Sequence, residues 1–196
     1  MRCPDCRIPL PPRAESCPQC GFSLDADRLT KRFGVPPALQ PGINDLARVF
    51  SRGQISRIDR RILDFEHGLR QILLSVVTQR IPLESRLGAY AFWIFNASSP
   101  NQPPGEAVEH NRIHRILFLV DTSNHRATLT LSYGLEPFVG PETLDAVLQS
   151  GATALASGRF AAFLGGCIAA LEDALHALGH NLPAVYGFHP ALTPGT

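Results

Sequence analysis

The residues best suited to chemistry lie at the N-terminus, in two Cys-Pro-x-Cys motifs. Cys3 and Cys6 form the first motif, Cys17 and Cys20 form the second, and ten residues separate them. Two such pairs can place four thiolates tetrahedrally around one Zn²⁺. Gly21 follows the second motif and can adopt the tight backbone of a metal-binding turn. The sequence therefore predicts a small zinc ribbon in which these four cysteines bind a structural zinc ion.

Two structural disulfides are the alternative for the same four cysteines. The leftover Cys167 and the absence of a signal peptide weigh against that pairing. A segment this short cannot bury enough apolar surface to fold by itself, so metal binding would supply most of its folding free energy. Reduced zinc-binding thiols without an export signal also predict a cytoplasmic protein.

Three carboxylates near predicted strand or loop ends are the candidates for catalysis. Asp45, Glu109 and Glu136 lie where α/β sheets usually build their sites. Phosphoryl chemistry needs two or more carboxylates around a divalent ion, so a cluster of the three would bind Ca²⁺ or Mg²⁺. The alternative is structural: a turn or cap for Asp45, a loop charge for Glu109 and an arginine partner for Glu136. The sequence favours this structural alternative.

The other chemistry-bearing side chains are expected to be structural. His110 and His114, together with Glu109, would suit a metal site on a helix, but the local pattern is a loop entering a strand. Cys167 lies on the apolar stripe of the last helix, which predicts a buried thiol. Asp121 is predicted to open a turn.

The charge balance argues against a broadly basic, nucleic-acid-binding surface. The chain has 18 lysines and arginines against 17 aspartates and glutamates, and 44% of its 196 residues are hydrophobic. Residues 1–34 carry six basic and four acidic groups, and the net charge of about −2 on a zinc tetrathiolate would cancel that surplus. The longest apolar stretch, residues 160–178, is broken by glycines and charges, so it predicts a buried helix and no transmembrane segment.

The order of predicted elements indicates an α/β domain behind the ribbon. A ribbon in residues 1–24 is followed by a linker, residues 25–42, whose prolines and glycines favour an extended connector. A capping box at residues 51–54 begins the first helix. Residues 71–80 form an interior strand that is buried on both faces.

The second half of the domain predicts a hairpin followed by two helices. A helix over residues 83–96 precedes the strands 115–120 and 127–133, which a short connection joins. Pro141 begins the next helix, and Gly179 is the expected C-cap of the last one.

These elements make up one domain over residues 43–179, with a tail over 180–196. They predict a three-layer α/β/α sandwich with a small mixed sheet, and no internal repeat is recognised.

Several segments of this domain resemble, in the same order, those of a known family. Residues 44–50 (NDLARVF) resemble its opening, where an aspartate precedes a short apolar run and the first helix. The segment ILLSVVTQ resembles its first core strand. ILFLV and ATLTLSYGLE resemble its central hairpin, which ends in a Gly-Tyr-Gly-Leu-Glu-like segment. Asp145 falls where the family often has an aspartate. Residues 42–178 are thus similar to the TPM domain family.

This resemblance implies an α/β/α fold, found in bacteria and in chloroplast lumen proteins. Some members of the family are acid phosphatases, some bind calcium through acidic residues, and many are membrane-tethered or partner-bound with no known activity. Versions with a zinc ribbon exist, in agreement with the N-terminus. The family's Asp-Asn-Gly-like motif before the second strand is replaced here by EHNRIH, residues 109–114. Of its acidic function only Glu109 remains.

The function favoured by the sequence is a soluble binding or adaptor module for a protein partner. The ribbon offers a rigid surface folded by metal, and no complete catalytic set is visible. The alternative is an acid-phosphatase-like hydrolase that depends on a divalent cation and acts through Asp45, Glu109 and Glu136. If the ribbon folds separately, Cys17→Ser should release zinc and unfold residues 1–21 while the second domain stays folded.

Overall fold

The computed structural model describes residues 2–98 and 114–186, and only the backbone of residues 179–186. Its centre is one sheet of four strands in the order β1-β2-β3-β4. β1 to β3 run parallel, and β4 is antiparallel to β3. The small mixed sheet predicted from the sequence is therefore confirmed. The strands are β1 (Gly42–Asp45), β2 (Ile72–Gln79), β3 (His114–Asp121) and β4 (Arg126–Leu131).

Helices cover both faces of this sheet, so the three-layer α/β/α arrangement is also confirmed. They are α1 (Ala26–Phe33), α2 (Arg52–Gly68), α3 (Leu87–Ala97), α4 (Pro141–Ser150), α5 (Ala152–Ala156) and α6 (Phe160–Tyr186). One hydrophobic core lies between the sheet and α2, α4 and α6. The other lies between the sheet, α3, α1 and the N-terminal cysteine segment.

The strands β2 and β3 supply side chains to both cores because successive residues of a strand point to opposite faces. Val76 and Phe118 belong to the first core, whereas Val77 and Leu117 belong to the second. None of these four is more than 1% exposed. The prediction of an interior strand buried on both faces is confirmed for β2.

Local signals place the starts of α2 and α4 where the sequence predicts them, whereas α3 begins at Leu87 and not at residue 83. Ser51 Oγ accepts from the Gln54 N–H at 3.3 Å, and Gln54 Oε1 accepts from the Ser51 N–H at 2.9 Å, which is a complete capping box before α2. Pro141 occupies the first turn of α4, where a missing N–H costs nothing.

The segment between the ribbon and β1 differs from the extended connector predicted for residues 25–42. It contains the helix α1, which Asp25 caps by accepting from the Arg28 N–H at 2.9 Å. Phe33 at the end of α1 packs on Tyr90 and Trp93 of α3, with ring centroids 5.3 and 5.5 Å apart. Burial of these aromatic rings holds the segment against α3.

The last helix also runs further than the sequence indicates. The C-cap expected at Gly179 is not found, because α6 continues to Tyr186 and includes residues 180–186 of the predicted tail. Within the described residues, Phe160–Leu178 is long and apolar enough to cross a membrane. One face of this segment is fully buried in the core, and most of its other residues are half-buried or exposed, so the buried helix predicted from the sequence is confirmed for that face alone. The fully buried residues are Phe163, Leu164, Cys167, Ile168 and Leu171.

Asp121 confirms its predicted place at the start of a turn and is fully buried there. Its Oδ2 accepts from Arg126 Nη2 at 2.7 Å and from Asn124 Nδ2 at 2.8 Å, and its Oδ1 accepts from the Ile81 N–H at 3.2 Å. Burial alone would raise the pKa of Asp121, but these hydrogen bonds outweigh it and hold the pKa below its usual value. The carboxylate ties the β3–β4 turn to the chain that leaves β2.

Asp121→Asn should therefore destabilise the protein by about 3 kcal/mol at neutral pH, because the Arg126 partner is lost. A depressed folded pKa gives stability that is present above the unfolded value of about 3.9 and disappears as pH falls through the folded pKa. Urea unfolding measures this effect at pH 7 and at about pH 3. The difference in the free energy of unfolding between wild type and variant should be smaller at the lower pH. An equal difference at both pH values would contradict a depressed pKa for Asp121.

Candidate metal centre

The first Cys-Pro-x-Cys motif forms a tight turn around its leading cysteine. The Cys3 N–H donates to the Ile8 carbonyl at 2.8 Å, and the Arg7 N–H donates to the Cys3 carbonyl at 2.9 Å. Burial raises the pKa of the Cys3 thiol above its usual value, although hydrogen bonds from the backbone N–H groups of Cys6 and Asp5 oppose that rise. These backbone hydrogen bonds close the turn that carries Cys3 and Cys6.

The second motif repeats this turn. The Cys17 N–H donates to the Phe22 carbonyl at 2.8 Å, the Gly21 N–H donates to the Cys17 carbonyl at 2.9 Å, and the N–H groups of Gln19 and Cys20 favour the Cys17 thiolate. The two turns form an internal repeat that was not predicted from the sequence. Its signal was an apolar residue two places after each motif, in CPDCRI and CPQCGF.

Both turns require a left-handed residue directly after the second cysteine. Gly21 has φ of 70°, which confirms the tight backbone predicted for it, and Arg7 has φ of 65° at the equivalent place. A side chain in this conformation costs roughly 1–2 kcal/mol, so the first turn carries strain that the second avoids.

The four sulfur atoms lie at distances that suit a shared metal ion. Cys3 Sγ is 3.6 Å from Cys20 Sγ, Cys6 Sγ is 3.5 Å from Cys17 Sγ, and all four lie within 4.8 Å of one another. A tetrahedral ion with Zn–S bonds of about 2.3 Å would separate its sulfurs by about 3.8 Å. Disulfides are excluded, since their S–S bond is about 2.05 Å and all four cysteines are free.

The electrostatics of the cluster favour a bound cation. Desolvation opposes ionisation of Cys17, but the Gln19 and Cys20 N–H groups and the neighbouring thiols lower its pKa to about 7. The Phe22 N–H favours the Cys20 thiolate, yet burial and the neighbouring thiols raise the pKa of Cys20 to about 12. Four thiolates this close repel one another, and a divalent cation between them removes that repulsion.

The cluster is built into the core beneath α3. Cys3 and Cys17 are at most 2% exposed, and the Phe22 ring meets the Phe92 ring of α3 edge-on at 6.1 Å. Arg86, which precedes α3, forms an ion pair with Asp5 at 3.4 Å. The cluster fits the small ribbon predicted from the sequence, and the cysteine segment shares a hydrophobic core with α1 and α3.

The predicted carboxylate cluster is not assembled by the described residues. Asp45 ends β1, where its Oδ1 accepts from Thr78 Oγ1 at 2.5 Å and from the Val49 N–H at 3.1 Å, while Oδ2 accepts from the Phe50 N–H at 3.0 Å. It closes the turn into α2, which is the structural role the sequence favours for it.

Glu136 and Asp45 lie at opposite ends of the strands of the sheet. β1 pairs parallel with β2, and β2 pairs parallel with β3. Asp45 and Asp121 therefore both lie at the C-terminal ends of these strands. β4 runs the opposite way and ends at Leu131, opposite Ile116 near the start of β3. Glu136 follows from there, and burial raises its pKa. Glu109 and His110 lie outside the described residues.

The remaining candidates take structural positions. His114 begins β3, with its ring against the backbone of Gly134. Cys167 is fully buried, as predicted, and burial raises the pKa of its thiol. Within residues 2–98 and 114–178, the only close group of three or more potential metal-ligating side chains is the four-cysteine cluster.

Comparisons with known proteins leave the function to be argued from these residues. No protein-family model and no curated protein matches the chain. The N-terminal domain of a protein from P. gingivalis is 18% identical, covering 77% of this chain and 87% of that one, with a TM-score of 0.48. The N-terminal domain of the cg2496 protein from Corynebacterium glutamicum is 13% identical, covering 70% and 82%, also with a TM-score of 0.48.

Fold and site together define a class: an α/β/α protein with a four-cysteine cluster, spaced as a metal ion would require, built into one of its cores.

Gly88→Ala tests the contact between this module and α3. A Cβ at Gly88 would lie 2.4 Å from the Pro4 carbonyl oxygen, a backbone atom that cannot rotate away. We expect a loss of about 1–3 kcal/mol in urea unfolding. Gly53→Ala is the matched control, because no atom lies within 4 Å of its added Cβ and alanine favours the helix. Equal stability of the two variants would refute the contact.

Gly21→Ala tests the left-handed turn. No atom lies within 4 Å of the added Cβ, so the cost is conformational and should weaken metal binding by about tenfold. Arg7→Gly, at the equivalent position, should leave affinity unchanged or raise it because it removes strain. Competition with a chromogenic chelator measures the metal affinity of both variants. An equal loss of affinity in the two would contradict the equivalence of the two turns.

Proposed function

We propose that the protein is a zinc-stabilised binding module for a protein partner, in which a TPM-like α/β/α domain carries the cysteine segment. The observation that carries this proposal is a cluster of four thiols with every sulfur within 4.8 Å of the others. Four thiolates fill the tetrahedral coordination of zinc, so no position is open for water or substrate. A closed site of this kind contributes to folding rather than to catalysis.

Zinc is the metal that suits the cluster and its surroundings. Soft thiolates in a tetrahedral arrangement select zinc or iron, and zinc needs no redox partner. The N-terminal turn of α3 lies against the first motif, where its partial positive charge stabilises an anionic cluster. The thiols would stay reduced in the cytoplasm, which is the compartment we assign to the protein.

A hydrolase finds less support in the described residues. Asp45 uses both carboxylate oxygens to close the turn into α2, and Glu136 lies at the opposite end of the strands. A divalent-cation site for phosphoryl transfer needs its carboxylates on one side. A binding role requires only a stable surface, and the metal supplies the stability.

Cys17→Ser tests the metal assignment. Wild type should contain one zinc per chain by elemental mass spectrometry, and the variant should contain none. The single Trp93 is buried in the same core as Cys17, so its fluorescence should change when zinc is lost. The melting temperature of the whole chain should also fall, because α3 loses part of its packing.

Cys167→Ser is the matched control, since Cys167 lies in the core on the other face of the sheet. This variant should keep one zinc and an unchanged Trp93 spectrum. Retention of zinc by the Cys17 variant, or iron in place of zinc in wild type, would overturn the assignment.

A phosphatase assay separates the binding role from the alternative. We expect no turnover of p-nitrophenyl phosphate by the zinc-loaded protein with or without Ca²⁺ or Mg²⁺. Turnover that Glu136→Ala abolishes while the fold is retained would replace the binding role with a hydrolase.

A further inference from the structure

A second feature lies on the face of the sheet opposite the cysteine cluster: a groove of about 710 Å³ between α2 and α6. The two helices run in the same direction. Arg61 of α2 pairs with Glu172 of α6 at 2.5 Å, and Gly68 at the end of α2 lies against His176. The groove opens between their N-terminal halves, where Gln54 and Phe160 line its walls.

The floor of this groove is apolar and shallow. Ile58 and Ile168 are buried beneath it, and Phe50 and Phe160 are half-buried at its sides. Gly165 lies along α6, and an added Cβ there would meet no atom within 4 Å. The small side chains that α6 contributes to the groove leave room for a second helix to approach its backbone closely.

The rim of the groove is positively charged. Arg57, Arg61 and Arg159 line it, and no carboxylate is among its lining residues in the described part of the chain. Arg61 is engaged by Glu172, whereas Arg57 and Arg159 are exposed. The N-terminal ends of α2 and α6 meet at the same end of the groove and add partial positive charge.

From this combination we infer that the groove binds a helical segment of a partner protein, with small apolar side chains on one face and aspartates or glutamates beside them. The inference deepens the proposed binding function and rests on it. Helix-in-groove recognition uses an apolar floor for affinity and charges at the rim for orientation.

The same observations disfavour the other anionic partners. A membrane would need large apolar side chains that project outward, but here they are buried or half-buried in a concave floor. A nucleic acid would need a broad basic surface, and the whole chain has a net charge of only +1.

The test uses a fluorescein-labelled helical peptide of about 16 residues, long enough to span about 24 Å. Its apolar face carries alanine, and glutamates flank that face. A matched peptide has glutamine at every glutamate. Anisotropy should show binding of the glutamate peptide that weakens as salt rises from about 50 to about 500 mM. The glutamine peptide should bind at least about tenfold more weakly.

Three variants of the full chain locate the site. Arg57→Glu combined with Arg159→Glu should weaken binding by at least about tenfold, and Gly165→Trp should block it by filling the floor. Arg70→Glu reverses the charge of an exposed arginine beyond the C-terminal end of α2, outside the groove, and should bind like wild type. Amide chemical shifts should change around the groove in α2 and α6.

The inference is overturned if the peptide fails to bind at about 1 mM, if Arg70→Glu weakens it as much as the groove variants, or if the shifts map elsewhere. It is also overturned if only vesicles of anionic phospholipid bind, and the groove variants abolish that binding. Zinc content, measured on every sample, separates the two proposals. If zinc is present and the peptide does not bind, only the proposal for the groove is wrong. If the peptide binds and zinc is absent, only the metal assignment is wrong.

Discussion

Burial of β2 and β3 on both faces is the constraint from which the rest of the architecture follows. Side chains such as Val77 and Leu117 are as deeply buried as their neighbours on the opposite face, so both faces need a full covering layer. On one side α2, α4 and α6 supply that layer. On the other, α3 and α1 are short, and the cysteine segment completes the cover. The cysteine segment thus becomes part of the main core.

This arrangement would couple the proposed metal binding to the stability of the domain. Cys3 and Cys17 are buried in the same core as Trp93, and Phe22 reaches Phe92 on α3. Loss of the ion would leave four thiols crowded together and would release an apolar patch from α3. Stability would then be lost across that whole face, because residues in one packed cluster do not contribute independently. A metal with no open coordination position is well suited to this purely structural task.

The acidic residues are used in a related way. At the carboxyl edge of the parallel strands, Asp121 holds the β3–β4 turn and Asp45 holds the turn into α2. Both occupy positions where α/β proteins often place catalytic carboxylates, yet each has its oxygens engaged by hydrogen-bond donors. The surface chemistry is instead arginine-rich, along the groove between α2 and α6. The proposed binding of an acidic partner agrees better with this distribution than catalysis does.

The sequence by itself determined the features encoded by neighbouring residues. The four-cysteine spacing, the capping box at Ser51, the start of α4 at Pro141 and the doubly buried strand β2 all rest on local hydrogen bonds or on the period of side chains along the backbone. The tertiary structure decided what depends on residues far apart in the chain. Only folding shows that Gly88 packs on Pro4 and that α1 packs on α3. The antiparallel return of β4 likewise separates Glu136 from Asp45. Such contacts depend on how distant elements cover a shared core, which no local pattern specifies.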